Sequence, residues 1–167
     1  AQHVGRHGGV YASHMRQEGD QILDSIAEAL FIGEQGRCPV HISHIKCTGK
    51  ANHGRAAEVL KVLQEARARG VAVSADQYAY DASSTGLDVL FPSEALAVGR
   101  EEFGKRLASD KPFREEIHRA LLQKMDQVGF GDFRYARIAA AKGNEELNGL
   151  LLPAAAERRL HRSDRDA

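Results

Sequence analysis

His14 and His44 are the residues of this chain whose type and setting point most directly to chemistry. Each follows a serine at the polar end of a short apolar alternation, in Ala12-Ser13-His14-Met15-Arg16 and in Ile42-Ser43-His44-Ile45-Lys46. Two imidazoles leaving adjacent strands about one strand spacing apart, ~4.8 Å, can reach one divalent ion with ring nitrogens at roughly 2.0–2.1 Å. The spacing permits that site without requiring it, because a histidine at a strand end is equally well satisfied by hydrogen bonds alone. Lys46 follows His44 by two positions, so strand periodicity turns both the same way and sends His41 to the opposite face.

The elements that must position these groups follow from glycine stops and apolar spacing. Gln2 to Gly9 reads as a helix closing on Gly8-Gly9, and Val10 to Arg16 as a first strand. Gly19-Asp20 offers an N-cap to a helix with Ile22, Leu23, Ile26, Ala27, Leu30 and Phe31 on its apolar face, ending at Gly33 or Gly36. Pro39 opens a second strand running through Lys46. Asn52-His53-Gly54 precedes a helix over Arg55 to Arg69 that buries Ala56, Val59, Leu60 and Leu63, and a third strand runs from Val71 to Tyr78. Strand, helix, strand, helix, strand with short turns is the pattern of parallel β/α units, an α/β fold. Right-handed crossovers gather the strand C-termini, and with them His14, His44, Lys46 and Tyr78, on one edge.

After Ser83-Ser84-Thr85 the alternation stops. Ser93 to Leu107 and Lys111 to Gln127 read as two helices, capped at Ser93 and at Ser109 or Asp110, with Phe113, Ile117, Leu121 and Met125 inward. Tyr135 to Ala139 has the look of a short strand, and Pro153 to Arg159 that of a helix with proline in its first turn. Acidic and basic residues balance at 23 each and are interspersed, which disfavours a nucleic-acid surface; the one basic cluster is Arg158, Arg159, His161, Arg162 and Arg165. The longest apolar stretch, Leu150 to Ala156, is interrupted by Pro153 and falls short of the roughly 18 residues of a membrane span. No secretory leader is visible, and Cys38 and Cys47 flank one strand, too far apart to bridge, so a reducing cytoplasm is expected.

Four ordered blocks carry a resemblance. Gly8-Gly9-Val10-Tyr11-Ala12-Ser13-His14-Met15-Arg16, Ile42-Ser43-His44-Ile45-Lys46, Ala51-Asn52-His53-Gly54, and Asp76-Gln77-Tyr78-Ala79-Tyr80 with Ser83-Ser84-Thr85 resemble the second half of the D-aminoacylases, the N-acyl-D-amino-acid deacylases of the amidohydrolase superfamily. The likeness is continuous to about Leu90 and looser to Arg159. It implies an incomplete (β/α)8 TIM-type barrel, roughly strands five to seven, with a helical insertion. On this division residues 1–90 are β/α units of the barrel, 91–134 the insertion, and 135–167 a returning strand, short helix and polar tail.

The resemblance also implies zinc, Zn2+, held by His14 and His44 at the ends of the fifth and sixth strands. Lys46 and Tyr78 are implied at the substrate carboxylate and the polarised carbonyl, and Ser83 and Ser84 in the loop against the D-amino-acid portion. Arg16 and Glu18 match the pattern after the fifth strand, and Arg16 joins the substrate-binding set. The substrate so implied is a small molecule, an N-acyl-D-amino acid cleaved to a D-amino acid and a carboxylate. Tyr78-Ala79-Tyr80 departs from the usual Tyr-Pro-Tyr. The family's His-x-His pair, bridging cysteine and general-base aspartate are not identified, Asp164 being only a superficial match to the last. The chain is therefore expected to be a fragment, inactive alone and prone to self-association. A non-catalytic remnant or binding module, or a cyclic-amide hydrolase of the same superfamily, are the alternatives.

Overall fold

The computed structural model describes residues 1–161 and divides into two compact units, Ala1–Asp81 and a second beginning at Ala82. In the first, helix α1 (Gln2–Arg6) leads to strand β1 (Tyr11–Ser13), helix α2 (Ile22–Gly36), strand β2 (Val40–Ile42), helix α3 (Ala56–Ala68) and strand β3 (Val73–Ala75). The three strands form one parallel sheet in the order β1-β2-β3, with Ser13, Ile42 and Ala75 level across it. The expected β/α alternation is present, with strands much shorter than the apolar runs suggested. Beyond β2 the His44 N–H turns to the Asp76 carboxylate, although single ladder bonds such as Ser43 N–H to the Ser13 carbonyl, 3.0 Å, continue past the last strand residue.

One face of the sheet is covered by α2 and α3. Val40, Ile42 and Val73 join Ile22, Ile26, Leu30, Val59 and Leu63 in a continuous apolar core, with Met15 closing it beyond β1. The alternate positions Ala12, His41 and Ser74 lie on the other face, two exposed and His41 half-buried. The buried stripes differ from the expected ones by about one residue. Helix α2 buries Ala29, Gly33 and Gly36 where Ala27 and Phe31 were expected, leaving Phe31 59% exposed; α3 buries Ala66 and leaves Ala56 and Leu60 exposed. Gly33 accounts for the rotation of α2: a Cβ there would stand 2.1 Å from Val40 Cγ2, so the helix lies on β2 through a position with no side chain.

The second unit is helical. The expected single helix over Ser93 to Leu107 is broken by Gly99 (φ 86°) into α4 (Ser93–Leu96) and α5 (Arg100–Ser109). Asp110 caps α6 (Lys111–Val128), its carboxylate accepting from Phe113 N–H at 3.0 Å. Phe103, Phe113 and Ile117 form the core between α5 and α6, and Met125 is fully buried. No strand forms at Tyr135 to Ala139: a 3-10 turn spans Phe133–Tyr135, and Arg137 makes an isolated antiparallel bridge to Leu151 before α7 (Leu152–Leu160). Cys38 and Cys47 are free thiols. Among the described residues no helix is long and apolar enough to cross a membrane. Arg162, Asp164 and Arg165 lie outside the described residues.

Candidate metal and substrate site

The sheet register puts His14 level with Ser43, not with His44, so the two histidines are not equivalent strand positions. In a continuing strand that offset would send their side chains to opposite faces. The chain avoids this by leaving β2 at Ser43 and placing His44 in the left-handed region, φ 43°. The imidazoles thereby meet, with ring centroids 4.9 Å apart and planes tilted by 48°. His44 N–H donates to Asp76 Oδ1 just beyond β3, which holds the turn.

Beneath the pair lies Glu18, whose side chain is 11% exposed against 63% for His14 and 37% for His44. Its Oε1 stands 2.6 Å from Lys46 Nζ, 3.3 Å from His44 Nδ1 and 3.6 Å from His14 Nδ1. Lys46 Nζ also donates to His44 Nδ1 at 2.8 Å and to the His44 carbonyl at 2.9 Å, and lies 5.7 Å from the centre of the Tyr78 ring. Lys46 and His44 thus come together by direct hydrogen bonds, not by strand alternation. One ligand atom each from His14, Glu18 and His44 lie within 4.8 Å of one another. Two imidazoles and a carboxylate are donors that suit zinc and other first-row divalent ions.

Backbone pairing between two loops brings Glu18 here. Thr48 N–H donates to the Glu18 carbonyl at 2.7 Å, fastening the loop after β1 to the loop after β2. Buried Asn52 reinforces the seam, donating to Asp20 Oδ1 at 2.7 Å and the Thr48 carbonyl at 2.9 Å, while its Oδ1 accepts from Arg55 at 2.9 Å. Sequence reasoning placed Glu18 in a pattern without giving it a task. The available signal was its spacing four residues after His14.

The other expected residues are distributed differently. Tyr78 is half-buried three residues past the end of β3. Ser83 and Ser84 are exposed in an irregular segment of the second unit. Arg16 makes a two-pronged pair with Glu28 on α2, at 3.0 and 2.7 Å. His41, on the sheet face opposite α2 and α3, bonds Ser74 Oγ at 2.8 Å and Asp76 Oδ2 at 2.7 Å.

The His41 contact, with the His44 amide second, holds the Asp76 carboxyl below its ordinary value of 3.8. A carboxyl lowered by folding contributes stability that is present above its unfolded value and disappears as pH falls through its folded one. Acid titration of unfolding between roughly pH 5 and pH 3 is expected to show a shallower loss of stability in Asp76→Asn than in the parent. Equal slopes would mean that the carboxylate does not hold the His44 turn.

No protein-family model matches the chain. A D-aminoacylase of Alcaligenes xylosoxydans xylosoxydans is 47% identical over 94 residues, which is 56% of this chain and 19% of that protein. An N-acyl-D-aspartate deacylase of the same organism is 34% identical over 140 residues, 82% of this chain and 26% of that protein. A solved D-aminoacylase, described through the functional role of its binuclear metal center, superposes with a TM-score of 0.62 at 29% identity, covering 95% of this chain and 25% of its own. The chain is a relative of the D-aminoacylases. It spans about a quarter or less of the length of the D-aminoacylases and deacylases it matches. The D-aminoacylase likeness takes in nearly all of this chain.

Proposed function

We propose that the chain is a segment of a metal-dependent amidohydrolase that cleaves the amide of N-acyl-D-amino acids, releasing a D-amino acid and a carboxylate. The carrying observation is the pair of imidazoles, 4.9 Å apart at the ends of neighbouring parallel strands, in a chain related to D-aminoacylases. In this reading the parallel sheet is part of an incomplete (β/α)8 barrel, roughly its fifth to seventh strands, and the helices after residue 90 are an insertion. Self-association of the isolated chain through exposed Phe31 and Leu60 belongs to the same reading. The free thiols fit a cytoplasmic protein.

His14 and His44 are the proposed ligands, with Zn2+ as the ion. When bound, it supplies Lewis acidity at the amide carbonyl and acidifies water. Lys46 is the cation beside that pair, and its ammonium suits the α-carboxylate of the substrate as a point charge. Tyr78, alongside Lys46, has a phenol suited to donate to charge developing on the carbonyl oxygen. The family resemblance adds Arg16, Ser83 and Ser84 as further proposed substrate-binding residues. With carboxylate and carbonyl both fixed, the remaining substituent on Cα has one direction open, which selects configuration.

The test is hydrolysis of N-acetyl-D- and N-acetyl-L-amino acids by the product of the full coding sequence surrounding this segment, with and without a chelator. D-selective amide hydrolysis that a chelator removes and a divalent metal restores is expected. Hydrolysis that ignores configuration, or persists without metal, would overturn the proposal.

A further inference from the structure

We propose that Asp76 and His41 are positioning residues of this site: they hold a one-residue bulge at Ser43 and His44 that takes His44 out of a core-facing register and turns it to His14. The bulge is a matter of backbone geometry. Its bearing on a metal rests on the reading of the two histidines as ligands.

The bulge follows from the ladder between β2 and β3. In a regular parallel pair the N–H and the carbonyl of one residue bond two positions of the neighbouring strand that are two apart. The register is regular as far as Ile42, level with Ala75. Asp76 N–H then donates to the Ile42 carbonyl at 3.2 Å, while the Asp76 carbonyl accepts from Ile45 N–H at 2.9 Å. A regular ladder would bring residue 44 to that carbonyl. Two residues, Ser43 and His44, therefore stand where one belongs, and such insertions bend a strand and re-aim a side chain.

The effect falls on side-chain direction. Val40 and Ile42 point into the core under α2 and α3, so strand alternation would send residue 44 there next. An imidazole in that place would lie among aliphatic side chains, turned away from His14. The extra residue passes the place to Ile45, which packs against the core, and His44 comes to face His14. The bulge leaves His44 in the left-handed region with an N–H that the ladder no longer uses.

Asp76 answers that demand, because its Oδ1 accepts the His44 N–H in addition to its two backbone bonds. With its side chain 59% exposed, packing contributes little to its orientation, which hydrogen bonds must set. His41, from the opposite sheet face to α2 and α3, supplies the second anchor, with Nε2 at 2.7 Å from Oδ2. An ionised carboxylate only accepts, so Nε2 donates, and the Ser74 hydroxyl meets Nδ1 at 2.8 Å. One carboxylate oxygen is thus tied to residue 41 and the other to residue 44. His41 acts on the site through Asp76.

The test compares the 167-residue chain with Asp76→Ala, Asp76→Asn and His41→Leu, first without metal and then with Zn2+. By NMR of the metal-free parent, a ring-to-ring contact between His14 and His44 and slow exchange of the His44 amide are expected. Asp76→Ala should lose both while the Val40 amide, bonded to the Ala72 carbonyl in the regular part of the ladder, keeps its protection. Asp76→Asn retains an oxygen for the His44 amide and should recover most of both, with His41→Leu in between. Ring contact that survives in Asp76→Ala, or an asparagine variant no better than alanine, overturns the proposal. If Asp76→Ala loses protection at Val40 as well, His41→Leu decides: weakened ring contact with Val40 protected supports the proposal, and unchanged contact or loss at Val40 overturns it. Zn2+ affinity is expected to fall roughly 10–100-fold in Asp76→Ala and less in the other two. Undiminished affinity overturns the link between bulge and metal. Absence of Zn2+ binding in the parent overturns the ligand reading instead, leaving the ring contact to decide the bulge.

Discussion

Alanine in place of His44 is expected to weaken divalent-metal binding by the chain about 100-fold. Four-ligand zinc sites are worth ~10–16 kcal/mol, or about 3 kcal/mol per ligand, and ~1.4 kcal/mol is tenfold in affinity. Two imidazoles alone then give roughly 5–8 kcal/mol, an affinity from about micromolar to submillimolar. Calorimetric titration with Zn2+ resolves that range. His14→Ala should match His44→Ala, because the rings face each other across 4.9 Å and contribute the same donor atom type. Lys46→Met should spare binding, since it removes a cation and no ligand. Retention of parental affinity in either histidine variant would remove the basis for a metal site here.

Ile42→Ala is expected to destabilise the first unit by about 2–5 kcal/mol. Ile42 is fully buried on the central strand, packed among residues of the core under α2 and α3, and its removal leaves a cavity beneath a strand paired on both sides. A unit of this size has a total stability of roughly 4–12 kcal/mol at ~0.05–0.15 kcal/mol per residue, so the loss is about a sixth of it or more. Leu60→Ala, at a 57% exposed position, should stay within about 0.5 kcal/mol. Urea unfolding of the three proteins makes the comparison, and a change below about 1 kcal/mol for Ile42→Ala would mean the core is not continuous beneath β2. Because Ile42 directly precedes Ser43 and His44, the same variant should also loosen the site.

The order of elements was legible because its signals are local: glycine stops, apolar spacing within helices, and Pro39 before a strand. The faces of α2 and α3 were less so. Periodicity scores Gly33 as neutral, yet its missing side chain is what admits Val40, so the stripe turned by a residue. Strand ends were obscured for a different reason. His44, Ile45 and Lys46 continue the alternation in type, but a carboxylate just beyond the next strand captures the His44 amide and ends it. The histidines and Lys46 were visible as candidates through spacing and resemblance. The placement of Glu18 beside the histidines was not, since it depends on a backbone bond from Thr48, thirty residues away, that no short-range pattern encodes.

The backbone at position 44 carries a consequence of its own. A side chain other than glycine in the left-handed region costs roughly 1–2 kcal/mol, and only glycine, with asparagine and aspartate to a lesser degree, occupies it readily. Selection for folding alone would therefore favour glycine at residue 44, while the proposed chemistry needs an imidazole there. Consensus or stability-guided redesign of this segment would tend to erase the very residue that gives it a purpose, and so position 44 should be held fixed in any such effort.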